Sequence, residues 1–409
     1  MLLARKCIIY DLESESILKH MSYSAAKLWN VGNYEKRNYR SLGMDGFPDW
    51  YDQKKRLKTH FFYKNLPSQT AQDVLQELHE AWKSFFKLKE TGGIENPRPP
   101  RFKQKGMDLT FLQNGIVQAG GLIRLTIPRQ LKEYLAKTGH GAKFIYLKAE
   151  PFSNIMIRQL RVKLLGNGKL QLLAVFQREE PAPLSDNGRY LSIDLGITNT
   201  FTCYDSTSGT AFLIKGYLEL QQGYNKLIAH YQSICASQQH AAGVLYPKTS
   251  KRIQALYTKK NNAIKDFLHK VTRKIAGYCI QHRIHTVVIG DITGIRKDKT
   301  LGRQNNQPFH SFPYMKIYQM LEYKLALYGI TLIKQPEAYS SQCAPTTCMV
   351  SKQYASKNKR RTRGLYQDGC MLYNADAVGA YNILRLYLQK TNKQIAVFRD
   401  LSTVRKVTV

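Results

Sequence analysis

Two acidic residues at the ends of apolar elements constrain the fold more than any other feature of this chain. Asp194 lies in the apolar stretch Tyr190–Thr200, and Asp376 opens an amphipathic helical pattern. Burial of an unpaired carboxylate is costly, so an acid in such a frame usually has a functional partner. Carboxylate oxygens are the donors that Mg²⁺ prefers. The pair therefore predicts a metal site, although Asp376 is also open to interpretation as a charge at a helix N-terminus.

Strand and helix patterns alternate around these acids. Their β-β-β-α-β-α-β-α order is that of the RNase H fold, in which one face of a mixed sheet carries acids at strand ends. We therefore predict an α/β multidomain protein with an RNase H-like domain over 185–409. The predicted elements are strands at Tyr190–Gly196, Thr200–Tyr204 and Ala211–Gly216, basic helices over 217–283, a strand at Thr286–Asp291, a helix over 312–328, a strand at Gly329–Pro336 and a helix over 376–390.

The first half of the chain shows a different pattern. A strand pattern at 4–10 precedes a helical pattern that begins near Ser24 and continues to about residue 95. From Leu109 to Arg178 the pattern is strand-like, with Gly-Asn-Gly at 166–168 as a turn. These patterns predict a small β-barrel domain over 1–20 and 109–184, interrupted by a helical domain over 21–108.

The charge of the chain indicates the class of partner. Its 62 Lys and Arg residues against 29 Asp and Glu residues give a formal net charge of +33, which favours a polyanion. The chain has no apolar run of transmembrane length, and its first residues read as a strand rather than a signal peptide. Its seven scattered cysteines do not resemble a disulfide framework. We predict a cytoplasmic protein that binds nucleic acid and no membrane.

Basic segments are the candidates for contact with phosphates. They are a proline-stiffened linker over 92–106, the helical region over 217–282, and a run over 351–366. A solvated charged face is the alternative reading of such a run. The candidate side chains are Arg98, Arg101, Lys103, Lys105, Lys251, Arg252, Lys259, Lys270, Arg273, Lys359, Arg360, Arg361 and Arg363.

Four motifs jointly resemble those of transposon-encoded TnpB proteins, which are related to the type V CRISPR effectors. They are SIDLGIT at 192–198, VIGDITGIR at 288–296, EAYSSQC at 337–343 and NADAVGAYNI at 374–383, with looser matches in the first half at AAKLWN (25–30) and PPRFK (99–103). The resemblance implies an RNA-guided DNA endonuclease with a RuvC-type nuclease domain, a wedge-like barrel and a helical recognition domain. It also implies a guide RNA and a target DNA as partners, with the helical insertion 217–283 lining the channel for their heteroduplex.

The chain departs from this family at one acid. Most of the family has Glu where this chain has Gly290, but Glu337 follows the next strand, and some relatives carry the Glu there. We predict that Asp194, Glu337 and Asp376 are the catalytic residues and that they hold two Mg²⁺ ions. Asp291 is the alternative third acid, although strand alternation points it to the face opposite position 290.

The basic insertion over 340–372 resembles a degenerate zinc finger. Relatives often carry two cysteine pairs in this segment, whereas this chain has Cys343 and Cys348 but only Cys370 after them, with no nearby His. A tetrahedral structural site would lack its fourth ligand. We therefore do not expect zinc.

Two other functions stay open at this point. One is a nuclease-deficient, RNA-guided DNA-binding regulator, which would keep the basic channel. The other is a protein-only transposase or a general RNA-binding protein that uses the same fold. No motif indicates an oligomeric state.

Overall fold

The computed structural model describes residues 1–9, 11–92, 94–139, 141–165, 168–293, 310–360, 362, 364–394 and 398–408. The chain divides into two units, Met1–Glu179 and Glu180–Val409. Two residues of the predicted Gly-Asn-Gly turn, 166 and 167, lie outside the described residues, as do the last three of the motif over 288–296.

The first unit opens with strand β1 (Leu2–Ile8) and a helix that starts earlier than predicted. Helix α1 covers Leu12–Arg37, so the predicted start near Ser24 was wrong. The cause is local: the Asp11 carboxylate accepts a hydrogen bond from the Ser14 amide at 2.8 Å, which caps the helix. The first strand of the unit is therefore followed almost directly by a long helix.

The other helices before residue 92 pack on α1. They are α2 (Trp50–Leu57), α3 (Phe61–Lys64) and α4 (Ser68–Thr91). A Cβ at Gly32 of α1 would lie only 3.0 Å from Leu78 and 3.1 Å from Leu75, so glycine permits the close approach of α4.

Two antiparallel sheets complete the first unit. The four-stranded sheet has the order β1-β7-β6-β2, and the other is β3-β4-β5. A single hydrophobic cluster includes buried residues of both sheets and of α1 and α4. The closed barrel stays a prediction. The bounds are β2 (Leu109–Leu112), β3 (Ile116–Ala119), β4 (Leu122–Thr126), β5 (Phe144–Lys148), β6 (Ile157–Leu164) and β7 (Leu170–Gln177).

One helix interrupts the region that was predicted to be strands only. Helix α5 covers Arg129–Lys137, between β4 and β5. Its buried residues Leu131 and Leu135 are four positions apart, which is a helical spacing. The strand prediction for this stretch was wrong because the helix is too short to stand out among its neighbours.

The second unit contains a six-stranded mixed sheet with the order β12-β11-β8-β9-β10-β15. Strands β8 (Tyr190–Asp194), β11 (Thr286–Asp291) and β12 (Thr331–Pro336) are parallel neighbours. Strands β9 (Phe201–Asp205) and β10 (Thr210–Ile214) run antiparallel, and β15 (Val404–Lys406) pairs with β10. This is an RNase H-like sheet. Because carboxyl ends of parallel strands share one edge, β8, β11 and β12 all end where the acids were predicted to meet.

Helices cover both faces of this sheet. They are α6 (Tyr217–Ala241), α7 (Lys251–Gln281), α8 (Tyr314–Ala326) and α9 (Ala375–Lys390). Leu191 and Ile193 of β8 join the cluster with α7 and α8, whereas Tyr190 joins the cluster with α9. The alternation of β8 therefore places Asp194, which is in phase with Tyr190, on the α9 face.

The segment over 340–372 is fixed by two buried polar residues of α9. The Asn382 amide donates to the carbonyls of Ser340 and Cys343, each at 2.8 Å. The Arg385 guanidinium donates to the carbonyl of Ala344 at 3.0 Å and to that of Thr347. The segment ends in the hairpin β13 (Leu365–Asp368) and β14 (Met371–Asn374). Among the described helices, none has the length and apolar character needed to span a membrane.

Candidate active site

Asp194 is the central acid of the predicted site. It ends β8, and its Oδ2 lies 2.7 Å from the place of a Cβ at Gly379, so only glycine lets α9 come this close. Burial, and to a smaller extent the charge of Asp376, raise the pKa of Asp194 to about 7, although the nearby charge of Arg360 acts to lower it. Asp194 thus has a carboxylate neighbour across the junction between the sheet and α9.

Asp376 lies in the first turn of α9 and is held from two sides. The side chain of Asn374 caps the helix and accepts hydrogen bonds from the amides of Asp376 and Ala377 at 3.1 Å. The Asn199 amide donates to Asp376 Oδ2 at 2.6 Å, and Arg360 Nη2 lies 3.4 Å from Oδ1. Both carboxylate oxygens therefore already have protein donors.

Glu337 follows β12 and reaches back to the neighbouring strand. A Cβ built on Gly290 would lie 1.7 Å from Glu337 Oε1, so this carboxylate occupies the space that a side chain at 290 would fill. Glu337 Oε1 is buried and has no hydrogen-bond partner within the described part of the chain. Burial, followed by the charges of Asp194 and Asp291, raises the pKa of Glu337 to about 8.

Asp291, the alternative third acid, lies on the other side of its strand. Val288 of β11 packs with α9, whereas Val287 and Ile289 pack with α7 and α8, so alternation places Gly290 on the α9 face and Asp291 away from it. The Asp291 carboxylate accepts the amide hydrogen of Thr293 at 2.9 Å. The Thr293 side chain, and to a smaller extent this amide, lower the pKa of Asp291. This geometry favours Glu337 as the third acid.

The donor chemistry of this site suits a hard divalent cation. Asp194, Glu337 and Asp376 offer only carboxylate oxygens, and the unpartnered Oε1 of Glu337 is a buried acceptor in need of a cation or donor. No three His, Cys, Asp or Glu side chains in the described ranges already stand close enough together to hold a metal ion. Asp194 interacts electrostatically with each of the other two acids. A bound metal would therefore have to draw the outer acids towards Asp194.

The structure adds one residue that the sequence reading gave no role. Asn199 lies just before β9, donates to Asp376, and keeps its own Oδ1 buried without a partner within the described ranges. It stands five positions after Asp194, directly after the SIDLGIT motif. That proximity was the available signal, but a sequence does not show which acid an amide will face.

The linker is held through its backbone at residues 101 and 103. Trp29 Nε1 donates to the carbonyl of Arg101 at 3.1 Å, and the Lys103 amide donates to Asn30 at 2.7 Å. These contacts leave the predicted side chains of the linker exposed, so their contact with phosphates stays a prediction. They are Arg98, Arg101, Lys103 and Lys105.

The predicted cations of the second unit fall into two groups. Those on α7 are exposed, although Lys270 forms an ion pair with Asp266 at 2.8 Å. In the basic insertion, Lys359 pairs with Asp368 at 2.7 Å and Arg360 pairs with Asp376. Arg361 and Arg363 lie outside the described residues. The α7 cations are Lys251, Arg252, Lys259, Lys270 and Arg273.

The three cysteines of the insertion differ in environment. Cys343 is buried and its thiol donates to the Ser351 carbonyl at 3.3 Å, whereas Cys348 and Cys370 are exposed. The loop that carries Cys343 is fixed by Asn382 and Arg385. These hydrogen bonds provide a cross-link there that does not depend on a metal.

Comparisons with known proteins find two families that match parts of this chain. A family described as "Probable transposase" (OrfB_IS605) matches residues 174–296, and one described as "Cas12f1-like, TNB domain" matches residues 314–383. The chain is 23% identical over 354 residues to the "Putative RNA-guided DNA endonuclease InsQ" of Escherichia coli (strain K12), covering 82% of this chain and 78% of that protein. The chain is TnpB-like.

A solved structure supports the fold of this TnpB-like chain. The protein in "Cryo-EM structure of the Cas12f1-sgRNA-target DNA complex" matches with a TM-score of 0.61 and 15% identity, over 92% of this chain and 83% of that one. At this identity the likeness establishes the fold. The RNase H-like architecture predicted from the order of strands and acids is therefore confirmed.

Proposed function

We propose that this TnpB-like chain is an RNA-guided DNA endonuclease that hydrolyses DNA phosphodiester bonds with the help of divalent metal. The matches to the two families and to InsQ support this proposal, as does the net charge of +33. Sequence specificity would come from pairing of a guide RNA with the target strand, while the protein contacts the backbones. The cytoplasmic location stays a prediction.

Asp194, Glu337 and Asp376 would hold the metal, with Mg²⁺ as the proposed ion. When bound, a pair of such ions lowers the pKa of an attacking water and stabilises the leaving oxygen. Asp194 and Glu337 must be ionised to act as ligands, and Asn199 keeps Asp376 oriented through the 2.6 Å hydrogen bond to Oδ2. Arg360, 3.4 Å from Oδ1 of Asp376, would share that oxygen with a bound cation or move away from it.

The observation that carries the proposal is the position of the Glu337 carboxylate. Its Oε1 fills the space beside Gly290, at the same sheet edge as Asp194, and lacks a partner within the described ranges. An acid that is buried unpaired in the metal-free protein is costly. A metal that draws the three acids together would remove that cost.

The test is cleavage of a target plasmid by the protein with its guide RNA in Mg²⁺. Glu337→Gln keeps the shape of the side chain and removes its charge, so cleavage should fall roughly a hundredfold or more, beyond the loss typical of a residue that only supports a ligand. Glu322→Gln on α8 is the matched control, because Glu322 is an exposed Glu of the same unit. Unchanged cutting by Glu337→Gln, with normal RNA binding, would remove Glu337 from the site.

A second candidate function is favoured by the pairing of both Asp376 oxygens with Asn199 and Arg360. In an RNA-guided DNA-binding regulator that does not cut, this pairing would persist in the complex. Such a protein would bind a matched target in Mg²⁺ without cleaving it, and Glu337→Gln would not change its affinity. Target binding that survives removal of the RNA would instead indicate a protein-only mode of action.

A further inference from the structure

The loop over 242–250, which we call the hairpin tip, joins α6 to α7 and presents two large apolar side chains to solvent. Leu245 is 82% exposed and Tyr246 is 86% exposed. Within the described residues, the Tyr246 side chain has no hydrogen bond or ring contact. Adjacent exposed apolar residues of this size are a common mark of an interaction surface.

The hairpin tip is held in one conformation by its own hydrogen bonds. The side chain of Gln239 donates to the Lys248 carbonyl at 2.8 Å and accepts from the Lys248 amide at 2.7 Å. The carbonyl of Gln239 accepts from the Val244 amide at 2.9 Å, and Ser250 caps α7. Leu245 and Tyr246 therefore project from a loop that is closed at both ends, and ordering this loop on binding would cost little entropy.

The charge around the hairpin tip indicates the chemistry of its partner. The sequence from 220 to 265 contains no Asp or Glu. A stretch with only positive formal charge is complementary to a polyanion. Its Lys and Arg residues from 240 onwards are Lys248, Lys251, Arg252, Lys259, Lys260 and Lys265.

We propose that the hairpin tip binds an unpaired nucleobase, with the Tyr246 ring stacked on the base, Leu245 beside it, and Lys248 and Lys251 contacting the neighbouring phosphates. Every nucleobase has a π-face, so an exposed aromatic ring in a segment rich in cations suits a single strand or a splayed strand end of any sequence. The inference rests on the proposed function only in requiring a nucleic-acid partner. It adds a site at which the protein contacts bases rather than backbone.

The test measures binding of the full chain to two fluorescein-labelled single strands of equal length. One is oligothymidylate, and the other has the same sugar-phosphate backbone with abasic positions. Tyr246→Ala should weaken binding of the first about tenfold, the loss expected for one base–aromatic stack, and leave binding of the second unchanged. Tyr246→Phe keeps the ring and should bind as the wild type does. Lys251→Ala should weaken both probes.

The matched control is Tyr328→Ala. Tyr328 is an exposed tyrosine of the same unit, in the turn after α8, and its loss should change neither affinity. Equal affinities of Tyr246→Ala and wild type for oligothymidylate would overturn the inference, as would equal losses on both probes. The inference would also be overturned if the chain self-associates and Tyr246→Ala abolishes this self-association without changing strand binding. The hairpin tip would then be assigned to a contact with a second copy of the chain. If the wild type binds neither probe, the result would count against the proposed function as well. If the wild type binds both probes and Tyr246→Ala changes neither affinity, only the stacking site is refuted.

Discussion

At the scale of single residues, the exchange of a strand acid for a loop acid is the defining feature of this site. The place of a side chain at Gly290 is taken by Glu337, whose carboxylate comes from the segment that follows the adjacent strand. Sequence order alone separates these positions by 47 residues. The parallel pairing of Gly290 with Gln335 brings them together.

The exchange can be reversed by two substitutions. Gly290→Glu alone should abolish cleavage, because its side chain would overlap Glu337 Oε1, 1.7 Å from the new Cβ. Combined with Glu337→Gly, it returns the acid to the strand and should restore part of the activity that Glu337→Gly loses. The measurement is plasmid cleavage in Mg²⁺, with Gly290→Gln in the Glu337→Gly background as the uncharged control. A double variant as inactive as Glu337→Gly alone would contradict the shared position.

The raised pKa values of Asp194 and Glu337 predict how the stability of the metal-free protein depends on pH. Both groups bind protons more tightly when folded, with pKa values of about 7 and about 8 against ordinary values near 4. Their contribution to the free energy of unfolding is therefore complete below about pH 4 and is lost as pH rises through 7 to 8. Asp194→Asn should stabilise the second unit at pH 8 by on the order of 2 kcal/mol and have little effect at low pH.

Urea unfolding in a chelator, at pH 5 and at pH 8, would check this sign. A larger gain for Asp194→Asn at pH 5 than at pH 8 would contradict it. Divalent metal should restore stability at pH 8 in the wild type but not in Asp194→Asn, because a ligand that binds the folded state stabilises it.

At the scale of elements, α9 has two roles. It carries Asp376, and it anchors the segment that follows Glu337. Its first turn holds Asp376, while Asn382 and Arg385 further along fix the carbonyls of residues 340–347. Arg385 is 1% exposed, and its Nη1 and Nη2 donate hydrogen bonds to the protein, whereas its buried Nε has no partner within the described residues. These hydrogen bonds hold the loop in place, as a bound zinc ion does in a zinc finger.

Loss of the anchor should loosen the loop before it affects the sheet. Arg385→Ala leaves carbonyls unpaired and a cavity behind, and should lower the free energy of unfolding of the second unit by about 3 kcal/mol. Hydrogen exchange should rise most over 340–347, while the amides of β8 and β11 keep the order of their protection. Arg399→Ala, which removes an exposed Arg of the same unit, is the comparison. Uniform loss of protection over the whole unit would indicate a general packing defect instead.

Elements were predictable from the sequence where their periodic pattern was strong. The strand at 286–291 was predicted with its observed bounds, and the acids at 194 and 376 were placed at element ends as expected. Helix α5 and the start of α1 were missed, because one is short and the other depends on the Asp11 cap. The contacts of Asn199 and Arg360 with Asp376 join residues that are distant in sequence, so no local pattern shows them.

At the scale of the whole molecule, charge is the dominant property. A net charge of +33 predicts binding to nucleic acid that weakens steeply with salt, because each phosphate contact releases counterions. Lys259→Ala should reduce the slope of log K against log salt by about 0.7 to 0.9, the share of one contact, with no change in sequence preference. The measurement is the affinity for single- and double-stranded probes from low to physiological salt. An unchanged slope would place Lys259 away from the bound strand.

The position of Glu337 in a loop, rather than on a strand, connects it to the basic insertion. The carbonyl of Glu337 accepts hydrogen bonds from the amide and hydroxyl of Ser340, at 3.1 and 3.0 Å, and Ser340 begins the anchored segment that continues into the cationic run. A carboxylate on a strand would have no such backbone connection to the cationic run. Here the run and the proposed third acid belong to one short stretch of chain, so we expect the binding of a polyanion to the run to be coupled to the position of the Glu337 carboxylate.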